Sequence, residues 1–135
     1  MKIRIVPVFS ALLFVIFTGC GSNVHLKGKV TFSDDDSPLP AGTVMFDSGS
    51  HNAFGNINPD GTFVVGSLKA NDGLPPGNYK VCIAGAVKLL PNPDNVYPPP
   101  EEQLIDKRYE KFETSGLAIT VDSSSKRYDF SIDRP

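Results

Sequence analysis

The chain has 135 residues, with 13 basic and 15 acidic side chains, a formal net charge of −2 at pH 7 and two cysteines. This length predicts one domain. The acidic balance disfavours a nucleic-acid partner, because nucleic acids select basic surfaces, and two cysteines exclude a disulfide-rich scaffold.

Residues 1–19 differ from the rest and predict an exported protein. Lys2 and Arg4 precede an apolar run over 5–17, which ends in Thr18 and Gly19. A basic start, an apolar run of roughly 7–15 residues and small residues at its end are typical of a signal peptide. The run is too short for a membrane span, which needs about 20 residues. A buried core helix is the alternative, and Pro7 and the terminal position disfavour it.

The segment FTGC at 17–20 resembles the lipobox of bacterial lipoproteins. In that family the cysteine thiol receives a diacylglyceryl group and the chain is cut just before the cysteine. The resemblance implies that residues 1–19 are a cleaved signal helix and that Cys20 is the lipidation site. Acyl chains would then anchor the protein, since each buried methylene contributes roughly 0.8 kcal/mol. Phe17 replaces the usual Leu, and a plain signal peptide with an incidental cysteine is the alternative.

A short tether, residues 20–23, leads into a domain over 24–135. There, apolar and polar residues alternate in short runs between turn signals, which is typical of a β-sandwich rather than of βαβ units. The sequence predicts an all-β fold, a seven-stranded antiparallel β-sandwich. The predicted strands lie at 24–32, 44–46, 53–57, 63–65, 79–83, 117–121 and 128–132. Their inward positions predict a core that includes Phe63, Tyr79, Val81, Ile119 and Phe130.

A long Pro-rich loop at about 85–116 interrupts this pattern. Loops of this length inside a compact domain are usually functional or disordered. One interpretation is a stiffened crossover between the two sheets, fixed by Tyr109 and Phe112. The other is an aromatic platform, in which Tyr97, Tyr109 and Phe112 contact a sugar or peptide ligand. Exposure of these rings in a groove would favour binding, and their burial would favour a structural role.

Four segments resemble the carboxypeptidase regulatory-like domain, a transthyretin-like sandwich with an Ig-like architecture. They are GKV at 28–30, LPAGTV at 39–44 with Phe46, DGTF at 60–63 and LPPGNYKV at 74–81. The chain looks most like the small lipoproteins of planctomycetes that carry such a domain. The resemblance covers mainly residues 24–83. Its motifs are scaffold motifs, so it implies a non-catalytic accessory module.

The side chains that carry chemistry predict neither an enzyme nor a metal or cofactor site. His25 and His51 lack partners at zinc-ligand spacing, and the acidic run at 34–36 does not match a calcium loop. Asp47, Ser48, Ser50 and His51 share one turn, a placement that rarely gives triad geometry. Cys82 shares a strand face with Lys80, which would lower the thiol pKa slightly; simple packing of a small residue is the alternative.

These observations predict a lipid-anchored protein of the cell envelope, at the outer membrane or its periplasmic face, with a non-catalytic structural or interaction module. The alternative is a carbohydrate- or peptide-binding accessory protein of an envelope enzyme or transporter. Expected partners are membrane lipid through acylated Cys20, and another envelope protein or glycan. Because the tether reaches only about 10 Å, Lys27 and Lys29 would either contact anionic headgroups or merely solvate the sheet.

Overall fold

A computed structural model describes residues 22–69 and 71–135. The predicted signal helix and Cys20 lie outside the described residues. Within them, one short 3₁₀ helix spans Lys107–Glu110, and no helix is long and apolar enough to span a membrane. The strands are β1 (Lys27–Phe32), β2 (Thr43–Asp47), β3 (Asn52–Asn56), β4 (Thr62–Val64), β5 (Gly77–Ala84), β6 (Val87–Leu89), β7 (Glu101–Gln103), β8 (Leu117–Val121) and β9 (Phe130–Ile132).

Two sheets enclose one apolar core. The first has the strand order β4-β1-β9 and the second the order β3-β2-β5-β8. Three phenylalanine rings from the two sheets meet between them: Phe46 of β2 lies 6.2 Å from Phe63 of β4 and 6.5 Å from Phe130 of β9, measured between ring centroids. The predicted all-β sandwich is therefore confirmed at this level.

The alternating pattern places the predicted side chains inside. In β5, for example, Tyr79 and Val81 are buried while Lys80 between them is exposed, because successive side chains of a strand point to opposite faces. All five predicted core residues are buried, with 7% exposure or less.

The strand count and the strand directions differ from the prediction. Nine strands lie in the described residues: the seven predicted ones, and β6 and β7, which form a two-stranded ribbon inside the long connection. These two strands gave no periodic signal because they bury no complete side chain. In addition, β1 and β9 run parallel, with Val30 beside Phe130. The alternation of apolar and polar residues is the same in parallel and antiparallel strands, so the sequence pattern could not reveal this parallel pairing.

The long connection does not cross between the sheets, contrary to the expectation above. It joins β5 to β8, which are antiparallel neighbours in the four-stranded sheet. Two of its side chains, Ile105 and Tyr109, enter the core at 0% and 4% exposure. The connection is therefore a structured excursion that seals one region of the core.

The sandwich has two distinct ends. The described chain enters at the first, where Val24 pairs with Leu74 and the Asn23 amide donates to the Asp72 carbonyl at 3.1 Å. We call this end the N-terminal pole; it also carries the loop over 67–73 and the turn over 122–127. The long connection leaves from the other end, the far pole, because Ala84 pairs with Thr43 at the start of β2.

Candidate functional site

The three aromatic residues proposed for ligand contact lie in different surroundings. Tyr97 is 93% exposed and Tyr109 is buried. Phe112 is half-buried against the outer face of the four-stranded sheet, where it borders a depression with Met45 and Phe54. The structure therefore does not bring the three rings together into one exposed platform.

Tyr109 instead joins the long connection to the C-terminal strand. Its hydroxyl accepts from the Arg108 guanidinium at 2.7 Å and donates to the Asp133 carboxylate at 3.2 Å. Asp133 also accepts from the Ser33 hydroxyl at 2.5 Å, and this bond, ahead of those to Tyr109 and Arg108, lowers the pKa of Asp133. This network holds the long connection against the C-terminal strand at the far pole, so Tyr109 has a structural role.

Cys82 is not an activated thiol. It faces outward on β5 but is buried, with 3% exposure, while Lys80 on the same face is exposed. Burial raises the pKa of the Cys82 thiol, and the Glu113 carboxylate adds to this rise. Lys80 therefore does not lower the pKa of this thiol, and burial favours the other interpretation, packing of a small residue.

The acidic run at 34–36 is held by hydrogen bonds and an arginine. The Arg134 guanidinium contacts Asp34 at 2.9 Å and Asp35 at 3.1 Å. Hydrogen bonds from Ser37, with a smaller contribution from Arg134, lower the pKa of Asp35 to about 2. Across 22–69 and 71–135, no group of His, Cys, Asp and Glu side chains is arranged to hold a metal ion.

The turn over 47–51 uses its polar groups to hold its own backbone. The Asp47 carboxylate accepts from the Gly49 amide at 2.8 Å, and the Ser48 hydroxyl accepts from the His51 amide at 3.0 Å. Ser50 Oγ lies 3.2 Å from His51 Nδ1. Since Asp47 bonds to a backbone amide rather than to the His51 ring, this is not the relay of a hydrolase triad.

An open depression of about 550 Å³ lies beside this turn, at the end of the outer sheet face. Its polar lining includes Asp47, Asn78, Lys80 and Thr120. The Thr120 hydroxyl donates to Asn78 Oδ1 at 2.8 Å, so part of this lining is already satisfied internally.

The N-terminal pole carries a cationic surface with one exposed leucine. His25, Lys27 and Lys126 border a shared depression of about 360 Å³, and the Lys27 amide donates to the Lys126 carbonyl at 3.3 Å. Leu68, in the loop over 67–73, is 95% exposed and precedes Lys69. We call His25, Lys27, Leu68, Lys69 and Lys126 the N-terminal surface.

The lysines of this surface are not neutralised by close ion pairs. None of the ion pairs among the described residues includes Lys27, Lys69 or Lys126. Lys29 lies two residues further along the same face of β1, nearer Asp60, whose pKa is lowered mainly by hydrogen bonds from Thr62, with the Lys29 charge adding to the effect. The sequence grouped Lys27 with Lys29 on one strand face, and the structure adds Lys126 beside Lys27.

Hydrogen bonds to Asp72 and Gly73 hold residues 67–69, the part of the loop that presents Leu68. The Asp72 carboxylate accepts the backbone amides of Ser67, Leu68 (2.9 Å) and Lys69 (3.0 Å), and the bond from Ser67 contributes most to the lowered pKa of Asp72. The Ser67 hydroxyl donates to the Gly73 carbonyl at 2.8 Å. Sequence periodicity missed Leu68 because a single apolar residue in a polar loop has no repeating pattern.

Comparison with known proteins yields a likeness of fold. No protein-family model matches the chain, and no curated protein matches it. The chain is similar to the major pilin subunit of Bacillus cereus, BcpA, with a TM-score of 0.52 and 8% identity, over 84% of this chain and 30% of the pilin. A 9R-lipoxygenase from Cyanothece PCC8801 aligns over 82% of this chain and 16% of that one, with a TM-score of 0.36 and 18% identity. The chain thus spans about a third of the pilin, and this likeness concerns the fold alone.

Proposed function

We propose that the chain is an exported bacterial lipoprotein of the cell envelope, anchored by acylated Cys20, whose sandwich is a non-catalytic structural or interaction module. The observation that carries the proposal is the apolar run over 5–17 that ends in Thr18, Gly19 and Cys20. The proposal includes membership of the transthyretin-like regulatory domains, on the motifs quoted above.

The start of the folded domain supports a lipid anchor. Val24 already bonds to Leu74, with its amide 2.8 Å from the Leu74 carbonyl, only four residues after Cys20. A domain that begins immediately after the cleavage site leaves the cysteine at the mature terminus as its connection to the membrane. Its partners would then be lipid, and an envelope protein or glycan close to the membrane.

Burial within the long connection favours a structural role over ligand binding by its aromatic residues. Tyr109 is 4% exposed and Phe112 is half-buried, so these rings stabilise the domain. Of the three aromatic residues, Tyr97 is the one that projects into solvent. We therefore prefer the structural or interaction module to a sugar- or peptide-binding accessory protein.

The anchor is tested by growing cells with labelled palmitate and separating membrane from soluble fractions. The wild-type chain should carry the label and sediment with membranes. Cys20→Ser should carry no label and should either remain unprocessed or leave the membrane fraction. Cys82→Ser is the matched control and should retain the label, because Cys82 is buried in the sandwich. Label on Cys20→Ser, or an unlabelled wild-type chain, would contradict the proposal.

A further inference from the structure

We infer that the N-terminal surface docks on an anionic lipid bilayer, with Leu68 in the headgroup region and Lys27, Lys69 and Lys126 against lipid phosphates. The inference rests on the proposed function, because the anchor at Cys20 holds this pole beside the membrane. It adds an orientation: the domain lies against the lipid instead of rotating freely on its tether.

The position of the surface is the first argument. Asn23 bonds to Asp72, and His25 Nδ1 lies 3.1 Å from the Asn71 carbonyl, so the loop that presents Leu68 packs against the first described residues. Three residues separate Cys20 from Val24, and an extended segment of that length spans about 10 Å. The N-terminal surface is therefore the part of the domain that meets the bilayer.

The exposed leucine is the second argument. Leu68 is 95% exposed on a loop whose backbone is fixed by the Asp72 carboxylate. Because these hydrogen bonds already hold the backbone of residues 67–69, insertion of Leu68 would remove apolar surface from water with little further loss of backbone entropy. Val64, 44% exposed, adds apolar area to the neighbouring depression.

The distribution of charge is the third argument. The N-terminal surface holds three lysines outside the close ion pairs of the described residues, and anionic leaflets attract lysines near their surface. The far pole is acidic. Asp60 lies in its hairpin turn, and Glu101 and Glu102 lie on the exposed ribbon. An anionic bilayer would therefore attract the first pole and repel the second.

An acidic protein surface is the competing occupant, and it would also satisfy the lysines. The bilayer is favoured because the proposed anchor places it within reach of the tether, and because an isolated exposed leucine beside Lys69 suits a headgroup region better than a polar acidic surface. The experiment below separates the two.

The test uses the full chain with its own anchor in vesicles of phosphatidylcholine, alone or mixed with phosphatidylglycerol. A fluorophore is placed on Ser123→Cys, an exposed position in the turn of the N-terminal pole, and quenched by headgroup-attached nitroxide lipid. A thioether at Cys20 and burial of Cys82 leave residue 123 as the reactive thiol. We expect strong quenching that depends on phosphatidylglycerol and weakens with salt.

Substitutions then test the named residues. Lys27→Gln and Lys126→Gln should each lower the ratio of docked to undocked chain about fivefold, the effect of one lysine at an anionic surface. Leu68→Ser should lower it in both vesicle types. The matched controls at the far pole, Lys88→Gln and Leu89→Ser, should leave it unchanged. Equal melting temperatures would show that all variants are folded.

Three outcomes would overturn the inference. Quenching that is equal in the two vesicle types, or variants that match the far-pole controls, would remove bilayer docking. Quenching that appears only in native membranes supplemented with the same nitroxide lipid, and not in lipid vesicles, would assign the surface to an acidic protein. Failure of the anchor can be distinguished from failure of docking. If Cys20 carries no lipid, its free thiol also reacts with the fluorophore. Docking of such an unanchored chain on added vesicles can still be measured by the same quenching.

Discussion

At the scale of single residues, the stability of the domain depends most on side chains that join the two sheets. The Phe63 ring is fully buried and lies 6.1 Å from Phe130 and 6.2 Å from Phe46, between centroids. Gly28 gives this ring room, because a Cβ there would fall 2.6 Å from the end of the Phe63 ring.

Phe63→Ala should therefore lower the free energy of unfolding by about 3–5 kcal/mol, from lost burial and from the cavity left between the sheets. Urea unfolding followed by circular dichroism measures the change. Phe54→Ala is the matched control, because Phe54 is 45% exposed on the outer face, and it should cost far less. A loss below about 1 kcal/mol for Phe63→Ala would mean that this side chain does not join the sheets.

Asp72 makes the stability of its loop depend on pH. Hydrogen bonds from the Ser67, Leu68 and Lys69 amides hold its pKa below the ordinary value. The stabilisation is therefore complete when the pH is above the pKa of an aspartate in the unfolded chain, about 4. It is lost as the pH falls through the lower pKa of Asp72 in the folded domain.

Asp72→Asn should accordingly be less stable than wild type at pH 7, and the gap should narrow as the pH falls below about 4. Thermal unfolding at a series of pH values measures it. Asp94→Asn, in the exposed part of the long connection, is the control and should follow the wild-type curve. A gap that stays constant across this range would show that the Asp72 carboxylate charge is not what holds the loop.

At the scale of elements, the long connection divides into a core-sealing part and a projecting part. Ile105 and Tyr109 seal the core, whereas Leu89, Val96 and Tyr97 project into solvent at 66%, 58% and 93% exposure. The core-sealing part of the connection thus stabilises the fold, and the projecting part forms an exposed apolar surface at the far pole.

Two tyrosine variants separate these halves. Tyr109→Ala should lower the free energy of unfolding by about 3–5 kcal/mol, as for other large buried aromatic residues. Tyr97→Ala should change it by less than about 0.5 kcal/mol, as for exposed positions. Chemical denaturation of both variants provides the comparison. Equal losses would contradict the division of the connection.

The elements also show which parts of the structure a sequence can predict. Alternation located seven strands and the core residues Phe63 and Val81, because a half-buried strand must alternate wherever it lies. It missed β6 and β7, which bury no complete side chain, and the parallel pairing of β1 with β9, which depends on chain path. The exposure of Tyr97 and the burial of Tyr109 also result from tertiary contacts, so the residue type alone could not predict which of the two is buried.

The candidate surface was harder to predict than the fold. Lys27 was visible on the first strand, but its neighbour Lys126 is distant in sequence and comes close only through the pairing of Lys27 with Arg127. Leu68 lies in a loop without a repeat. Charge patches assembled from separate loops become visible only once the topology is known.

At the scale of the whole molecule, the domain is a small sandwich with a cationic, leucine-bearing pole next to the proposed anchor and an acidic, Pro-rich pole at the opposite end. A surface near the lipid would hold the domain in one orientation, and the projecting ribbon would then face the envelope interior or a partner protein. This orientation depends on a lipid at Cys20.

The most direct measurement is the mass of the mature N-terminal peptide from protein extracted from membranes. We predict a chain that begins at Cys20, lacks residues 1–19 and carries the added mass of a diacylglyceryl group on the thiol. The matched Cys20→Ser chain should lack this mass. A membrane-extracted chain with an unmodified Cys20, or one that retains residues 1–19, would contradict the account.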